Sequence, residues 1–301
     1  MGKRLEQAIS VLNGLIGDHL ARSGNGLATA LTLVHDGAPI AARDIGARVP
    51  LGSRAVVLLH GLMGTESVWA MGGDDGDYGR RLQADLGMTP LYVRYNSGRP
   101  IVDNGVALAE LLEALVDAHP EALGEIALLG HSMGGLVARS ACGVAIERGH
   151  RWLGRVQRAI YVGTPHQGSP LERWGRQLTR GLAAIPDPYT RLIAQIGDLR
   201  SSGIKDLADR RHPVPLLPEI QHLLIAGTIV KDPMLATWFG DALVPVPSAT
   251  DGHAHARSEA MPEHVKVLPG VGHMKLAFSP EVYEHVRAWC TPADGIAGGA
   301  A

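Results

Sequence analysis

Short apolar runs alternate along the chain with stretches in which apolar residues recur every third or fourth position. The runs that predict strands lie at 55–59, 91–95, 126–129, 158–162, 222–226 and 265–268. Helical spacing covers 3–22 and 102–118, and it also follows Ser132. Strands that alternate with helices form parallel sheets with right-handed crossovers. The pattern therefore predicts an α/β fold with a mostly parallel central sheet flanked by helices.

One long insertion interrupts this alternation. Residues 168–218 separate two predicted strands and carry apolar residues at helical spacing together with several prolines. We expect a helical cap over the ends of the strands. Within it, the stripe of Trp174, Leu178 and Leu182 has two open interpretations, since it either lines a pocket for an apolar chain or seats the cap on the core.

The two ends of the chain differ from its middle. Residues 1–52 are predicted as an N-terminal helical extension, with strand-like pieces after the first helix, and 53–290 as the main domain. A last helix is expected to begin after Ser279, and 291–301, rich in Gly and Ala, is expected to be a disordered tail. The apolar face of helix 3–22 packs either on the domain or on another copy, which leaves a homo-oligomer open.

Composition and charge exclude several classes of function. With 28 basic and 30 acidic residues the net charge is −2, so there is no electrostatic reason to expect nucleic-acid binding. The 46% hydrophobic content allows a sizeable core, and two cysteines do not make a disulfide framework. No run is long enough to span a membrane, and polar residues interrupt the first helix where a signal peptide would be apolar. We expect a cytoplasmic protein.

The segment Gly130-His131-Ser132-Met133-Gly134 lies between a predicted strand and a predicted helix. A G-x-S-x-G sequence in that context is the signature of a nucleophile elbow, a tight turn that strains the serine backbone and tolerates only small neighbours. Ser132 is thus the candidate nucleophile. The charge that develops during its attack would be met by the backbone N–H of Met133 and by that of Leu62, in the loop after the first core strand.

Two further residues complete a catalytic constellation. A serine hydroxyl needs a base to take its proton, and that base needs an acid to orient it. His273 follows the last predicted strand, and Asp241 precedes it in the sequence Asp-Ala-Leu-Val-Pro. Asp232 and Asp251 are neighbouring acids that could substitute for Asp241. No metal and no cofactor are required by this chemistry.

These segments resemble those of α/β-hydrolases of the lipase/esterase type. The chain is similar to bacterial lipases and to the lipase-like domain of GPI inositol-deacylases over about residues 53–290. The segments that carry the resemblance are 60–65, 130–135, 163–169, 241–245 and 272–274. Two positions depart from the pattern. Ala242 replaces a common glycine, and Lys275 stands where secreted bacterial lipases carry an aspartate that helps to bind calcium, so we expect no such calcium site.

The resemblance and the constellation together imply a serine hydrolase that cleaves carboxylic esters through an acyl-enzyme. We expect a small-molecule ester with an apolar acyl chain as the substrate. His166, Trp174 and Leu178 are the candidate substrate-binding residues. An acyltransferase on the same fold and a non-catalytic binding protein on a hydrolase scaffold are the alternatives. The intact order of serine, acid and histidine argues against the second.

Overall fold

The computed structural model of the 301-residue chain describes residues 3–71, 76–169, 201–207, 214–229, 241, 243–252 and 264–292. The strands are β1 (Thr32–His35), β2 (Ala38–Ile40), β3 (Arg54–Leu59), β4 (Thr89–Arg94), β5 (Glu125–His131), β6 (Val156–Val162), β7 (Gln221–Thr228) and β8 (Val265–Pro269). The α-helices are α1 (Lys3–Arg22), α2 (Tyr78–Leu86), α3 (Ile101–Ala118), α4 (Met133–Arg148), α5 (Ser202–Asp206), α6 (Val246–Ala249), α7 (His273–Leu276) and α8 (Pro280–Cys290).

The eight strands form one sheet in the order β2-β1-β4-β3-β5-β6-β7-β8. Among the described strands, β3 to β8 are parallel to one another, and only the β1–β2 and β1–β4 pairs are antiparallel. The carboxyl ends of the parallel strands therefore meet at one edge of the sheet, which is where an open α/β sheet binds its ligands. The prediction of a mostly parallel sheet flanked by helices is confirmed.

Successive side chains of the central strands are buried on opposite faces of the sheet. In β3, Val57 and Leu59 contact the core beneath α3 and α4, whereas Val56 and Leu58 contact the core beneath α2 and α8. Successive side chains of a strand point to opposite faces, so a continuous apolar run is what a strand covered on both sides requires. Burial on two faces makes the central strands a rigid base for the loops at their ends.

The segment 1–52 differs from the predicted helical extension. Helix α1 has the predicted bounds, but β1 and β2 also lie in this segment, and Leu33 of β1 pairs with Val93 of β4. This segment therefore supplies two antiparallel strands at the edge of the sheet and does not lie outside the domain. The strands are three and four residues long, too short for periodicity to separate them from coil.

The apolar face of α1 packs on its own chain. Leu12, Leu15, Ile16 and Leu20 are all at most 1% exposed, and Met63 of the loop after β3 packs against them. Of the two alternatives for this face, the structure therefore supports packing on the domain. A homo-oligomer stays a prediction.

The predicted elements otherwise lie where the pattern put them, with bounds that shift by a residue or two. Helix α2 was missed because its composition is polar, although Asp77 caps its start and Gly87, at φ 66°, ends it. Most of the expected cap, including Trp174, Leu178 and Leu182, and the tail 293–301 lie outside the described residues. In the described part of the chain, no helix is long and apolar enough to cross a membrane.

Candidate active site

Ser132 occupies a strained turn between β5 and α4. Its backbone has φ 53° and ψ −122°, a region that non-glycine residues rarely adopt, and it is the N-cap of α4. The Ser132 amide donates to the carbonyl oxygen of Val162 at 2.9 Å, which ties the turn to the end of β6. The side chain is buried, and no described group forms a hydrogen bond with Oγ. The predicted elbow geometry is thus present.

The backbone around Ser132 is packed so closely that a side chain has no space at the glycine positions. A Cβ on Gly130 would lie 2.4 Å from the amide nitrogen of Gly135, and one on Gly134 would lie 2.4 Å from the carbonyl oxygen of Leu59. A Cβ on Gly135 would lie 2.1 Å from Oγ1 of Thr164. Non-bonded heavy atoms do not approach a Cβ this closely. The strand and the helix can therefore lie this close together only with glycine at these positions. The steric reason inferred for the flanking glycines holds.

Asp241 and His273 form a buried pair at the same edge of the sheet. His273 Nδ1 lies 2.7 Å from Asp241 Oδ2, and both side chains are at most 3% exposed. The other carboxylate oxygen accepts from the amides of Leu243 and Val244 at 3.0 and 2.8 Å, and the His273 amide donates to the Asp241 carbonyl oxygen at 3.0 Å. The acid is therefore held by the backbone on one side and faces the imidazole on the other.

This pair lies beside the end of β6, the neighbour of the strand that leads into the elbow. A Cβ on Gly163, which follows β6, would lie 3.2 Å from His273 Nδ1 and 3.3 Å from Asp241 Oδ2. Val162, the residue before Gly163, is the one whose carbonyl oxygen accepts from the Ser132 amide. The imidazole of His131, next to Ser132 in the chain, lies 5.0 Å from that of His273 between ring centroids. The fold thus brings Ser132, Asp241 and His273 to one edge of the sheet.

The loop after β3, residues 60–65, lies beside the elbow and is called the β3 loop below. A Cβ on Gly61 would lie 3.0 Å from that of Ser132. The Met63 amide donates to Ser97 Oγ at 3.0 Å, whereas no described group accepts from the Leu62 amide. Met133 begins α4, and a residue at that position has no acceptor for its amide within the helix.

Two buried histidines border the site. His60 stacks on Tyr95 with ring centroids 4.2 Å apart, and its Nδ1 lies 2.8 Å from the Gly61 carbonyl oxygen. Burial lowers the pKa of His60 to about 4. Burial, assisted by the charge of the nearby His273, lowers the pKa of His131 to about 3. Both rings are therefore neutral near pH 7 and support the loops around the site.

His166, a candidate substrate-binding residue, lies in a buried polar cluster. Its Nδ1 is 2.7 Å from Nη1 of Arg139, and its ring packs edge-on against Tyr161 at 4.8 Å. Asp251, the alternative acid, lies 3.4 Å from the same Arg139 nitrogen. These contacts account for the burial of His166 without a substrate, and they hold Asp251, which is only partly buried. Arg139 was missed by the sequence analysis, although a charged residue in an otherwise apolar helix is a signal for such a cluster.

Three residues named in the sequence analysis, Trp174, Leu178 and Asp232, lie outside the described residues. Among the residues that are described, no group of three or more His, Cys, Asp or Glu side chains could hold a metal ion.

The chain is similar to known hydrolases in sequence pattern and in fold. A model of the alpha/beta hydrolase family matches residues 56–285. The lipase BlEst2 of Bacillus licheniformis has a similar structure, with a TM-score of 0.52 at 19% identity over 80% of this chain and 93% of that one. The esterase Pf2001 of Pyrococcus furiosus gives a TM-score of 0.46 at 16% identity over 79% and 82% of the two chains. No curated protein sequence matches the chain.

Proposed function

Because the chain belongs to the alpha/beta hydrolase family, we propose that it is a serine hydrolase that cleaves carboxylic esters through an acyl-enzyme on Ser132. The observation that carries this proposal is the strained backbone of Ser132, at φ 53°, between a buried strand and a helix. A strained backbone at such a position persists only where the surrounding structure holds it, and such strain is concentrated at functional sites.

The buried Asp241–His273 pair supports general-base catalysis. An ionised carboxylate only accepts hydrogen bonds, so the 2.7 Å contact requires the proton of the neutral imidazole to be on Nδ1. Nε2 is then the basic nitrogen that takes the Ser132 proton. Asp241 would stabilise the imidazolium that forms, as the acid of a catalytic triad does.

The amides of Leu62 and Met133 are proposed to bind the oxyanion. The Met133 amide follows Ser132 in the chain, and the Leu62 amide lies in the β3 loop beside Ser132. Neither has a described acceptor within its own turn or helix. Removing one such donor lowers kcat by roughly 10²–10³-fold in known enzymes.

The proposed reaction has two halves. Ser132 Oγ attacks the acyl carbon while His273 Nε2 takes its proton, and the tetrahedral intermediate collapses as His273 returns that proton to the leaving alcohol. Water then attacks the acyl-enzyme, His273 again takes and returns a proton, and the free carboxylic acid leaves. No step requires a cofactor.

The proposed substrate is a small-molecule ester with an apolar acyl chain. Trp174 and Leu178 stay the candidate residues for that chain, and a cytoplasmic location stays a prediction. A series of p-nitrophenyl esters of increasing acyl length tests the substrate class. We expect turnover to depend on chain length, and a flat profile would contradict an apolar acyl pocket.

Labelling with a fluorophosphonate tests the nucleophile directly. We expect one covalent adduct, located on Ser132 by peptide mass spectrometry, and loss of ester hydrolysis in proportion to labelling. Ser67→Ala, which removes an exposed serine in the nearby turn, is the matched control and should label and turn over as the unmodified chain does. Turnover without an adduct on Ser132 would overturn the proposal.

A further inference from the structure

We infer that the N-terminal helix α1 is a positioning element of the active site, because it holds the β3 loop in the conformation that presents the Leu62 amide. This inference rests on the proposed function and extends it to residues far from the triad in sequence. Helix α1 precedes the residues matched by the family model.

Helix α1 contacts the β3 loop through a hydrogen bond and through its backbone. The hydroxyl of Ser10 donates to the carbonyl oxygen of Gly64. One turn further along, Gly14 packs against Met63, and a Cβ at Gly14 would lie 2.4 Å from Met63 Cγ and 3.1 Å from the Met63 amide nitrogen. The helix therefore touches the two residues that directly follow Leu62.

The same helix contacts the loop after β4 that supports the β3 loop from another side. Asn96 Nδ2 donates to the Gly17 carbonyl oxygen at 2.9 Å, and a Cβ on Gly98 would lie 2.1 Å from the Asn13 carbonyl oxygen. Ser97, between these two contacts, accepts from the Met63 amide. The β3 loop is thus held between α1 and the loop after β4. Helix α1 also contacts that second loop.

The conformation of Met63 explains why the β3 loop needs this support. Its φ is 60°, in the left-handed region that residues with a Cβ disfavour, and the adjoining peptide groups follow that rotation. If the contacts to Ser10, Gly14 and Ser97 were lost, the backbone would relax towards negative φ. The Leu62 amide would then turn away from the position where the oxyanion forms.

Helix α1 is itself held at the sheet edge by α5. Ser201 Oγ donates to the Gly14 carbonyl oxygen at 2.7 Å, and Ser202 Oγ donates to the carboxylate of Asp18 at 2.8 Å. These bonds lie on either side of the kink at Ile16, whose φ of −137° breaks the helical geometry. The helix is therefore fixed on both the loop side and the α5 side.

The sequence carries a signal for this role. Gly14 and Gly17 are interior positions of a 20-residue helix, where glycine is a poor helix former. A Cβ on Gly17 would lie 1.8 Å from Asn96 Oδ1. The glycines weaken the isolated helix, but they let its backbone reach both loops.

Two variants of the full chain test the inference. Ser10→Ala removes the hydrogen bond to Gly64, and Gly14→Ala pushes a methyl group against Met63. We expect each to lower kcat for a p-nitrophenyl ester by roughly tenfold, part of what loss of a whole oxyanion donor causes, with KM unchanged. The affinity for a trifluoromethyl ketone, whose serine adduct carries the oxyanion, should fall by the same factor.

Controls separate positioning from general damage to the fold. Ser10→Thr keeps the hydroxyl and should restore kcat, and Gly26→Ala, where a Cβ meets nothing within 4 Å, should behave as the unmodified chain does. Unchanged kcat in folded Ser10→Ala and Gly14→Ala would overturn the inference. So would a fall in kcat that Ser10→Thr does not restore.

Hydrogen exchange distinguishes failure of this inference from failure of the proposed function. Amides of residues 60–65 should exchange faster in Ser10→Ala than in the unmodified chain, and exchange at the same rate would contradict a role for α1 in holding the loop. An unmodified chain that neither hydrolyses esters nor reacts with a fluorophosphonate refutes the proposed function. The exchange comparison still decides whether α1 fixes the β3 loop.

Discussion

The imidazole of His131 is hydrogen-bonded to the backbone of His273, with 3.1 Å between Nε2 and the carbonyl oxygen, although the two residues are 142 positions apart. A carbonyl oxygen only accepts, so Nε2 carries the proton of the neutral ring. The residue that precedes the candidate nucleophile thus holds the backbone of the candidate base. This bond couples the elbow to the loop that ends at α7.

Removal of this bond should lower turnover. His131→Leu leaves the His273 carbonyl oxygen without its donor, and misplacement of a catalytic group by about 1 Å can lower a rate by roughly 10²-fold. We expect kcat to fall by roughly tenfold or more with a smaller change in KM. His131→Gln keeps a side-chain N–H and should recover part of the loss, whereas equal rates in both variants would contradict the tether.

Acid should destabilise the fold through the buried histidines. The pKa values of His60 and His131 are lowered to about 4 and about 3, against about 6.5 in the unfolded chain. Below about pH 6.5 the unfolded chain therefore binds protons that the folded chain does not. The free energy of unfolding should fall by about 1.4 kcal/mol per pH unit for each histidine as pH decreases towards those values.

Urea unfolding between about pH 6.5 and about pH 5 measures this dependence, in the window where the unfolded histidines titrate. His131→Gln removes one titrating group. The free energy of unfolding of this variant should therefore decrease by about 1.4 kcal/mol per pH unit less than that of the unmodified chain. A slope identical to that of the unmodified chain would show that His131 does not contribute.

Glycine at position 132 should stabilise the fold while it abolishes hydrolysis. Ser132→Gly relieves the left-handed strain at φ 53°, whereas Ser132→Ala keeps a Cβ in that conformation. We expect the glycine variant to be about 1 kcal/mol more stable than the alanine variant in urea unfolding. Equal stability of the two would mean that the elbow stores no backbone strain.

Asp241→Asn should lower kcat by about 10⁴-fold without loss of the fold, because the amide favours the wrong imidazole tautomer. Asp251→Asn is the matched control, since its carboxylate faces Arg139 at 3.4 Å and not His273. That variant should lose stability and keep its turnover number. The opposite result, measured with the same ester, would make Asp251 the acid.

Gly134→Ala should be strongly destabilising. The added Cβ would lie 2.4 Å from the Leu59 carbonyl oxygen and 2.6 Å from that of His60, and backbone atoms of a central strand cannot move away. We expect a loss of about 3 kcal/mol in the free energy of unfolding. Gly154→Ala, where a Cβ meets nothing within 4 Å, should be close to neutral, and equal effects of the two would refute the steric argument.

Much of the architecture follows from local pattern. The apolar run at 55–59 and the helical spacing at 102–118 correspond to β3 and α3 because burial on both faces, or on one, demands that periodicity. The elbow is equally local, since strand, glycines, serine and helix are adjacent in the chain. Helix α2 was missed because its apolar face is small. The strands β1 and β2 were predicted only as strand-like pieces, without their place in the sheet, because each is so short.

The sequence by itself predicted the central strands and the longer helices, the order in which they occur, and which serine, acid and histidine are candidates for the triad. Only the tertiary structure decided that α1 lies on the β3 loop, that His131 holds the backbone of His273, and that His166 faces Arg139. Periodicity reports how much of each element is buried, but not which distant element covers it. Those partners are chosen by the packing of the whole chain.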